Sequence, residues 1–347
     1  MRFKHPEPTG PCPPIFPVFI PFAGCRERCV FCSQESQTGR ASLPDENLPD
    51  FLQSALAGIA GQKHERAFEL AYYGGTFTAL PPPVMDFFMQ QAAGLKAAGK
   101  ISRLRCSTRP DAVTPALLRR LKDQGLDTME LGIQSFCDLP LAASQRNYCG
   151  DTAIRACHMV MEAGLRLGVQ LMPGMPGMSE NDFRRDAATA AEIKPDFIRL
   201  YPCLVLENTI LADIWRSGAF TPWTLELVLK ILPEALLLFW EKGIRVIRLG
   251  LAPQPGLREN ILAGPAHPAL GQRLRSLALH RLIRLKVEQY GLQLRGKSFR
   301  FRVPRRFQGE FYGHGGELKA AWAEMGLEPA NVHWSDQEYF ELDQGKA

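Results

Sequence analysis

The sequence predicts an α/β protein built on a parallel sheet covered by helices, and three observations predict it. Short apolar runs recur as far as Gly250, helical stretches separate them, and glycine or proline punctuates the joins. Strands that read as near-continuous apolar blocks, each followed by an amphipathic helix, belong to sheets buried on both faces.

The strand candidates are Ile15–Ile20, Ala67–Tyr73, Arg103–Ser107, Thr128–Ile133, Arg166–Leu171 and Asp196–Tyr201, with Ile244–Gly250 closing or extending the sheet. Between them fall helix candidates at Asn47–Ala60, Val84–Ala97, Pro115–Gln124, Thr152–Ala163, Glu180–Ile193 and Leu225–Lys242. Gly125 and Gly164 follow two of these helices, where glycine supplies the left-handed cap. Six such units suit a partial barrel or an open doubly wound sheet. Past Pro253-Gln254-Pro255-Gly256 the character changes, which divides the chain into residues 1–255 and 256–347. Leu270 to Glu288 reads as a long helix with arginines on its exposed face, and the composition shifts again at Leu294.

At 347 residues, with 46% hydrophobic and 22% charged residues, the chain has an ordinary globular composition. A net charge of +5 permits an anionic partner without requiring one. Met1 to Pro21 has no uninterrupted apolar run, so no secretory signal is expected. The most apolar helical stretch, Leu225 to Trp240, contains Lys230, Pro233 and Glu234 and falls short of a membrane span. The expected home is the reducing cytoplasm. There, nine cysteines point to metal binding or chemistry before structural disulfides.

Three of them form Cys25-Arg-Glu-Arg-Cys29-Val-Phe-Cys32, a C-x3-C-x2-C spacing in a loop opened by Gly24 after the first strand candidate. Three thiolates in one tight loop can hold three irons of a [4Fe–4S] cluster and leave the fourth open to a chelating ligand. A zinc site would need a fourth ligand; Cys12 is available, but it stands alone and not in a second C-x2-C pair.

With Phe31 before the third cysteine, the loop resembles the signature of the radical S-adenosylmethionine (SAM) superfamily. The resemblance runs from about residue 15 to 280. It implies a partial (β/α)6 barrel with a small C-terminal extension, a [4Fe–4S] cluster on Cys25, Cys29 and Cys32, SAM on the open iron, and an external electron donor. Tyr73-Gly74-Gly75-Thr76 resembles the second-strand motif whose backbone approaches the SAM amino group. Ser107 stands where some relatives carry a ribose-binding carboxylate. Gln134, in Gly132-Ile-Gln-Ser-Phe136, and Gln170, in Gln170-Leu-Met-Pro-Gly174, match positions near the nucleoside. Arg146 matches an arginine that pairs with the SAM carboxylate. Tyr72, Tyr73 and Tyr148 are cavity or core residues.

Ser107-Thr-Arg-Pro-Asp111, Lys194-Pro-Asp-Phe-Ile-Arg-Leu-Tyr-Pro202, Ile247-Arg-Leu-Gly250 and Ala263-Gly-Pro-Ala-His-Pro268 make the chain resemble the radical SAM domain of the Elongator catalytic subunit. It departs in its compact cysteine loop, in Asn147-Tyr148 where relatives show Gly-His, and in lacking room for an acetyltransferase domain. It also resembles oxygen-independent coproporphyrinogen III oxidase, although Gln34 stands where that enzyme shows a fourth cysteine.

The tail is basic. Lys297, Arg300, Arg302, Arg305 and Arg306 alternate with Phe299, Phe301 and Val303, the pattern of a strand with an aromatic and a cationic face. Gly313-His-Gly-Gly316 before a helical run resembles the backbone-clamping loop of KH domains, which raises RNA as a partner. The functional expectation is radical generation from SAM and hydrogen abstraction from an unidentified substrate, with RNA modification first. Porphyrinogen decarboxylation is the alternative enzyme reading, and a SAM- or cluster-binding RNA adaptor the non-catalytic one. No membrane partner is expected.

Overall fold

A computed structural model of the chain describes residues 1–10, 13–60, 67–251, 256–295 and 299–344; Cys12, the expected boundary at 253–255 and Lys297 lie outside them. The strands are β1 (Arg2–Lys4), β2 (Ile15–Phe19), β3 (Phe68–Tyr73), β4 (Ile101–Thr108), β5 (Thr128–Gln134), β6 (Arg166–Leu171), β7 (Phe197–Leu200), β8 (Val205–Leu206), β9 (Arg245–Leu249), β10 (Ile261–Ala263), β11 (Phe299–Pro304), β12 (Val332–Ser335) and β13 (Tyr339–Gln344). Seven of them form one parallel sheet in the order β2-β3-β4-β5-β6-β7-β9, curled into a half-barrel. Helices link successive strands across its outer face, as parallel neighbours require.

Local chemistry fixes these elements. The Thr114 hydroxyl accepts from the Leu117 amide and starts the helix Pro115–Asp123. Ser179 and Asp182 form a reciprocal capping box on Glu180–Ile193, and Thr224 caps Leu225–Glu241. On the outer face Tyr72 packs between Phe77 and Phe88, and its hydroxyl donates to the Phe88 carbonyl at 2.9 Å. Tyr72 is therefore a core residue on the helix side.

A second sheet is built from the last three strands and the first. Here β11 pairs with β12 in parallel and with β13 antiparallel, and β1 from the start of the chain completes the order β1-β13-β11-β12. Arg2 lies opposite Glu341, so the chain's first residues belong to this C-terminal sheet. Its core includes Phe301, Phe311, Trp322 and Phe340; the Phe311 and Trp322 rings stack 4.2 Å apart. The long helix is Leu270–Gln289. It joins both cores, giving Leu270, Leu274 and Ala278 to the barrel and Leu279, Ile283 and Val287 to the C-terminal sheet.

His5, Glu7, Pro8, Thr9, Gly10 and Pro13 also line the cavity inside the half-barrel. His5 is buried between Trp240 and Phe307, and Glu7 accepts from the Val246 amide at 3.0 Å while pairing with Arg275. No helix among the described residues is long and apolar enough to cross a membrane.

Candidate active site

In β3 to β7, side chains alternate between the helices and the barrel interior. The inward set of β3 includes Glu69 and Tyr73; that of β4, Arg103, Arg105 and Ser107; that of β5, Glu130 and Gln134. With Gln170 from β6 and Arg199 from β7 they line a cavity of about 1330 Å³ that also reaches Cys25, Cys29 and Cys32.

The cysteine loop lies against the end of β3. Thr76 donates its amide to the Ala23 carbonyl at 2.7 Å, and its hydroxyl lies 3.2 Å from Cys25 Sγ. The amides of Phe22 and Gly75 both donate to Gln34 Oε1, at 2.7 and 2.9 Å. Gly75 has φ +61°, and a Cβ there would sit 2.0 Å from the Ala23 carbonyl oxygen. Close approach of the cysteine loop's own backbone requires a residue without Cβ at this position. Gly74, at φ +83°, lies under Gln34 and Ile20.

Burial, followed by the neighbouring thiols, pushes Cys32 up to about 12; burial also raises Cys25. Both are poor thiolates on their own and need a cation to hold them ionised. Among the described residues no three His, Cys, Asp or Glu side chains gather tightly enough for a single ion. Three thiols on one loop beside one cavity suit a cluster, which divides its ligands among separate irons. The residues present fit an iron–sulfur cluster on Cys25, Cys29 and Cys32.

Arg146 is 4% exposed and reaches this loop. Its Nη1 donates to Cys29 Sγ at 3.1 Å, its Nε to the Tyr148 hydroxyl at 2.6 Å, and its Nη2 to the Gly132 carbonyl. The Tyr148 hydroxyl in turn donates to the Ile133 carbonyl at 2.9 Å. Arg109 stands 3.9 Å from the same sulfur and holds Asp111 through two hydrogen bonds. Gln134 adopts φ +67°, a left-handed conformation uncommon outside glycine, and its amide oxygen accepts from Gln170 Nε2 at 3.1 Å. Asp186, buried and thereby raised to about 6, accepts from the Phe136 amide at 2.7 Å and fixes the turn beyond Gln134. Ser107 is half-buried on the same cavity wall.

Deeper in the barrel lies a buried ion network. Arg105 forks onto both oxygens of Glu69, at 3.0 and 2.6 Å, and reaches Glu130 at 2.7 Å. Arg199 meets the other Glu130 oxygen at 3.1 Å and the Tyr73 hydroxyl at 2.6 Å; Tyr73 donates to Glu130 at 3.1 Å. These residues were not among those the sequence singled out as functional, Tyr73 excepted. The available signal was period-two charge in strands whose other face is apolar: Arg103, Arg105 and Ser107, then Glu130 and Gln134.

The basic strand exists as β11, with Phe299 and Phe301 buried in the C-terminal core. Arg302 pairs with Glu341 and Asp343, and Arg305 with Asp336. His314–Gly316 form one turn before the helix Lys319–Glu324, with Glu317 beside them held by Arg273.

A curled parallel half-barrel whose first strand leads into three cluster-spaced cysteines defines a class of iron–sulfur enzyme. The chain belongs to the radical SAM superfamily: residues 19–190 match that family, and residues 195–278 match the radical SAM C-terminal domain. Among curated proteins it is 30% identical to a tRNA uridine(34) acetyltransferase of Methanocaldococcus jannaschii over 205 residues, 52% of this chain and 37% of that protein. It is 26% identical to human Elongator complex protein 3 over 247 residues, 63% of this chain and 42% of that protein. The chain thus spans about two fifths of the curated relatives it matches. Two solved structures share its fold. The archaeal Elp3 of Methanocaldococcus infernus aligns with a TM-score of 0.57 at 22% identity, covering 81% of this chain and 64% of that one. Coproporphyrinogen III oxidase from Escherichia coli aligns at 0.52 and 20% identity, covering 69% and 54%. Members of the family use a [4Fe–4S] cluster and SAM.

Proposed function

We propose that this radical SAM enzyme acts on RNA, with tRNA as the substrate class, by abstracting a hydrogen atom. The observation that carries the reading is the 30% identity, over 205 residues, to a protein named for a modification of tRNA uridine 34. When bound and reduced by one electron, the cluster and SAM supply methionine and a 5′-deoxyadenosyl radical, which takes hydrogen from substrate.

The chain's own residues do the rest. Cys25, Cys29 and Cys32 hold the cluster, and Gly74, Gly75 and Thr76 set the backbone against which their loop packs. Ser107, Gln134 and Gln170 offer a hydroxyl and two amides to a nucleoside, with the Gln134 amide already oriented by Gln170. The network of Glu69, Arg105, Glu130 and Arg199 walls the cavity below with paired opposite charges. Arg28, Arg248 and Arg306 line the cavity as exposed guanidiniums without an ion pair among the described residues, and are available to phosphate. In the porphyrinogen reading a cysteine is expected where Gln34 stands, and here Gln34 is engaged in holding Phe22 and Gly75.

The test is anaerobic incubation of reconstituted enzyme with SAM, reductant and transcribed tRNA. Formation of 5′-deoxyadenosine that tRNA stimulates, with a new nucleoside mass after digestion, is the expected result. Cleavage of SAM that no RNA stimulates, with unchanged nucleosides, would overturn the RNA assignment.

A further inference from the structure

Gln134 closes β5 on a strained backbone. Its φ of +67° is a left-handed conformation, and the pairing with β6 slips by one residue between Leu131 and Gln134. Such a bulge re-aims a side chain. The Gln134 amide folds over Gly132, where a Cβ would sit 3.0 Å from Nε2, and accepts from Gln170. Backbone strain of this kind persists only where the surroundings over-determine it. Beyond Gln134 the chain turns tightly: the Ser135 amide donates to the Ile133 carbonyl at 2.9 Å, and the Cys137 amide to the Ser135 hydroxyl at 3.0 Å.

Asp186 pins that turn from the helix side. It is 0% exposed, on the helix Glu180–Ile193, and its Oδ1 accepts from the Phe136 amide at 2.7 Å and from the Cys137 thiol at 3.5 Å. It makes no ion pair among the described residues. A carboxylate buried without a cation is costly, and its two hydrogen bonds to the turn are what offset that cost.

We infer that Asp186, outside the cavity, is a positioning residue for SAM: it holds the turn at Phe136, and the turn holds Gln134 in the conformation that meets the nucleoside. The inference rests on the reading of Gln134 as a nucleoside contact and is independent of the RNA assignment. As a carboxylate Asp186 is a charge-assisted acceptor; protonated, it is a weaker one. Burial raises it to about 6, so the change falls within reach of a binding experiment. Its titratable neighbours change charge elsewhere. Burial pushes Cys137 up to about 11, the Ser179 hydroxyl holds Asp182 below the usual carboxylate range, and Asp182 raises Arg185. Binding that favours the carboxylate form is full above about pH 6 and weakens below it.

The experiment is equilibrium dialysis of SAM against reconstituted protein of equal iron content at about pH 5.5 and pH 8. Hydrogen–deuterium exchange of residues 133–137 is measured beside it. The parent is expected to bind SAM about threefold more weakly at the lower pH. Asp186→Asn, which keeps the oxygen and loses the charge, is expected to bind about fivefold more weakly than the parent at pH 8, with no pH dependence of its own. Asp186→Ala is expected to lose about tenfold or more and to exchange faster over 133–137. If it does not fold, Asp186→Asn carries the test. Gln134→Ala is the reference and is expected to weaken SAM at both pH values. Asp186→Asn with the parent's affinity and pH profile, while Gln134→Ala weakens SAM, would overturn the inference. So would faster exchange in Asp186→Ala at unchanged SAM affinity, because Asp186 would then serve the fold alone. Unchanged affinity in Gln134→Ala would overturn the reading of Gln134 and this inference with it, whereas tRNA left unmodified by a SAM-cleaving enzyme would bear only on the substrate proposed above.

Discussion

Replacing Arg105 by methionine isolates the buried network at the centre of the barrel. Arg105, Glu69 and Glu130 are 5%, 2% and 4% exposed, and three hydrogen bonds of 3.0, 2.6 and 2.7 Å join them. Methionine keeps much of the volume and removes the charge. Glu130 retains Arg199, but Glu69 loses both oxygens' partner and becomes a buried carboxylate with nothing opposite it. Removing one partner of a buried pair costs about 3–5 kcal/mol. The sign of the pH dependence follows from Glu69. Burial without a cation disfavours the ionised form of a carboxylate, so the loss of stability is expected to be larger at pH 8 than at pH 5. Urea unfolding of parent and variant at pH 5 and pH 8 measures both quantities. The gap in stability is expected to be wider at pH 8, and adding Glu69→Leu is expected to recover most of it, because the stranded charge is gone. A gap below about 1 kcal/mol, or one equal at the two pH values, would refute the view that this network is a closed set of mutually compensated charges.

Gly75→Ala places a Cβ 2.0 Å from the Ala23 carbonyl in a left-handed conformation that alone costs about 1–2 kcal/mol, so iron per chain after reconstitution is expected to fall by more than about half while far-UV circular dichroism is retained. Gln34→Ala strands the Phe22 and Gly75 amides at a cost of about 1–3 kcal/mol; the cluster is expected to be lost to a chelator several-fold faster, and Gln34→Glu, which keeps an acceptor, to retain it. His5, lowered to about 4 by burial between Trp240 and Phe307, stays neutral when folded. The unfolded chain binds that proton below about 6.5, so stability is full above that value and falls by up to about 3 kcal/mol as pH drops toward 4. His5→Phe is expected to flatten this part of the stability profile between pH 6.5 and 4 in urea unfolding.

Much of this fold was readable residue by residue. The parallel strands announce themselves as apolar blocks, and Thr114, Ser179 and Thr224 mark helix starts where capping chemistry says they should. The cysteine triplet is local in sequence, so its spacing survives folding. The barrel interior was harder: Glu69 and Arg105 sit inside runs scored as buried strands, and their pairing depends on which face each strand turns inward. The pairing of β1 with β13 joins Arg2 to Glu341 across nearly the whole chain, which no local pattern encodes. Phe299 and Phe301 alternate as a stacking surface would, yet a helix and a neighbouring strand cover them; alternation shows which residues share a face and not what covers it. Arg146 was visible as a conspicuous arginine, but only the folded chain brings its Nη1 to Cys29, 117 residues away.

The central claim is tested most directly by anaerobic reconstitution with iron and sulfide, then reduction with SAM and assay for 5′-deoxyadenosine. The account predicts product from the parent protein and none from Cys29→Ala. A protein that binds zinc, assembles no cluster and yields no 5′-deoxyadenosine would contradict it.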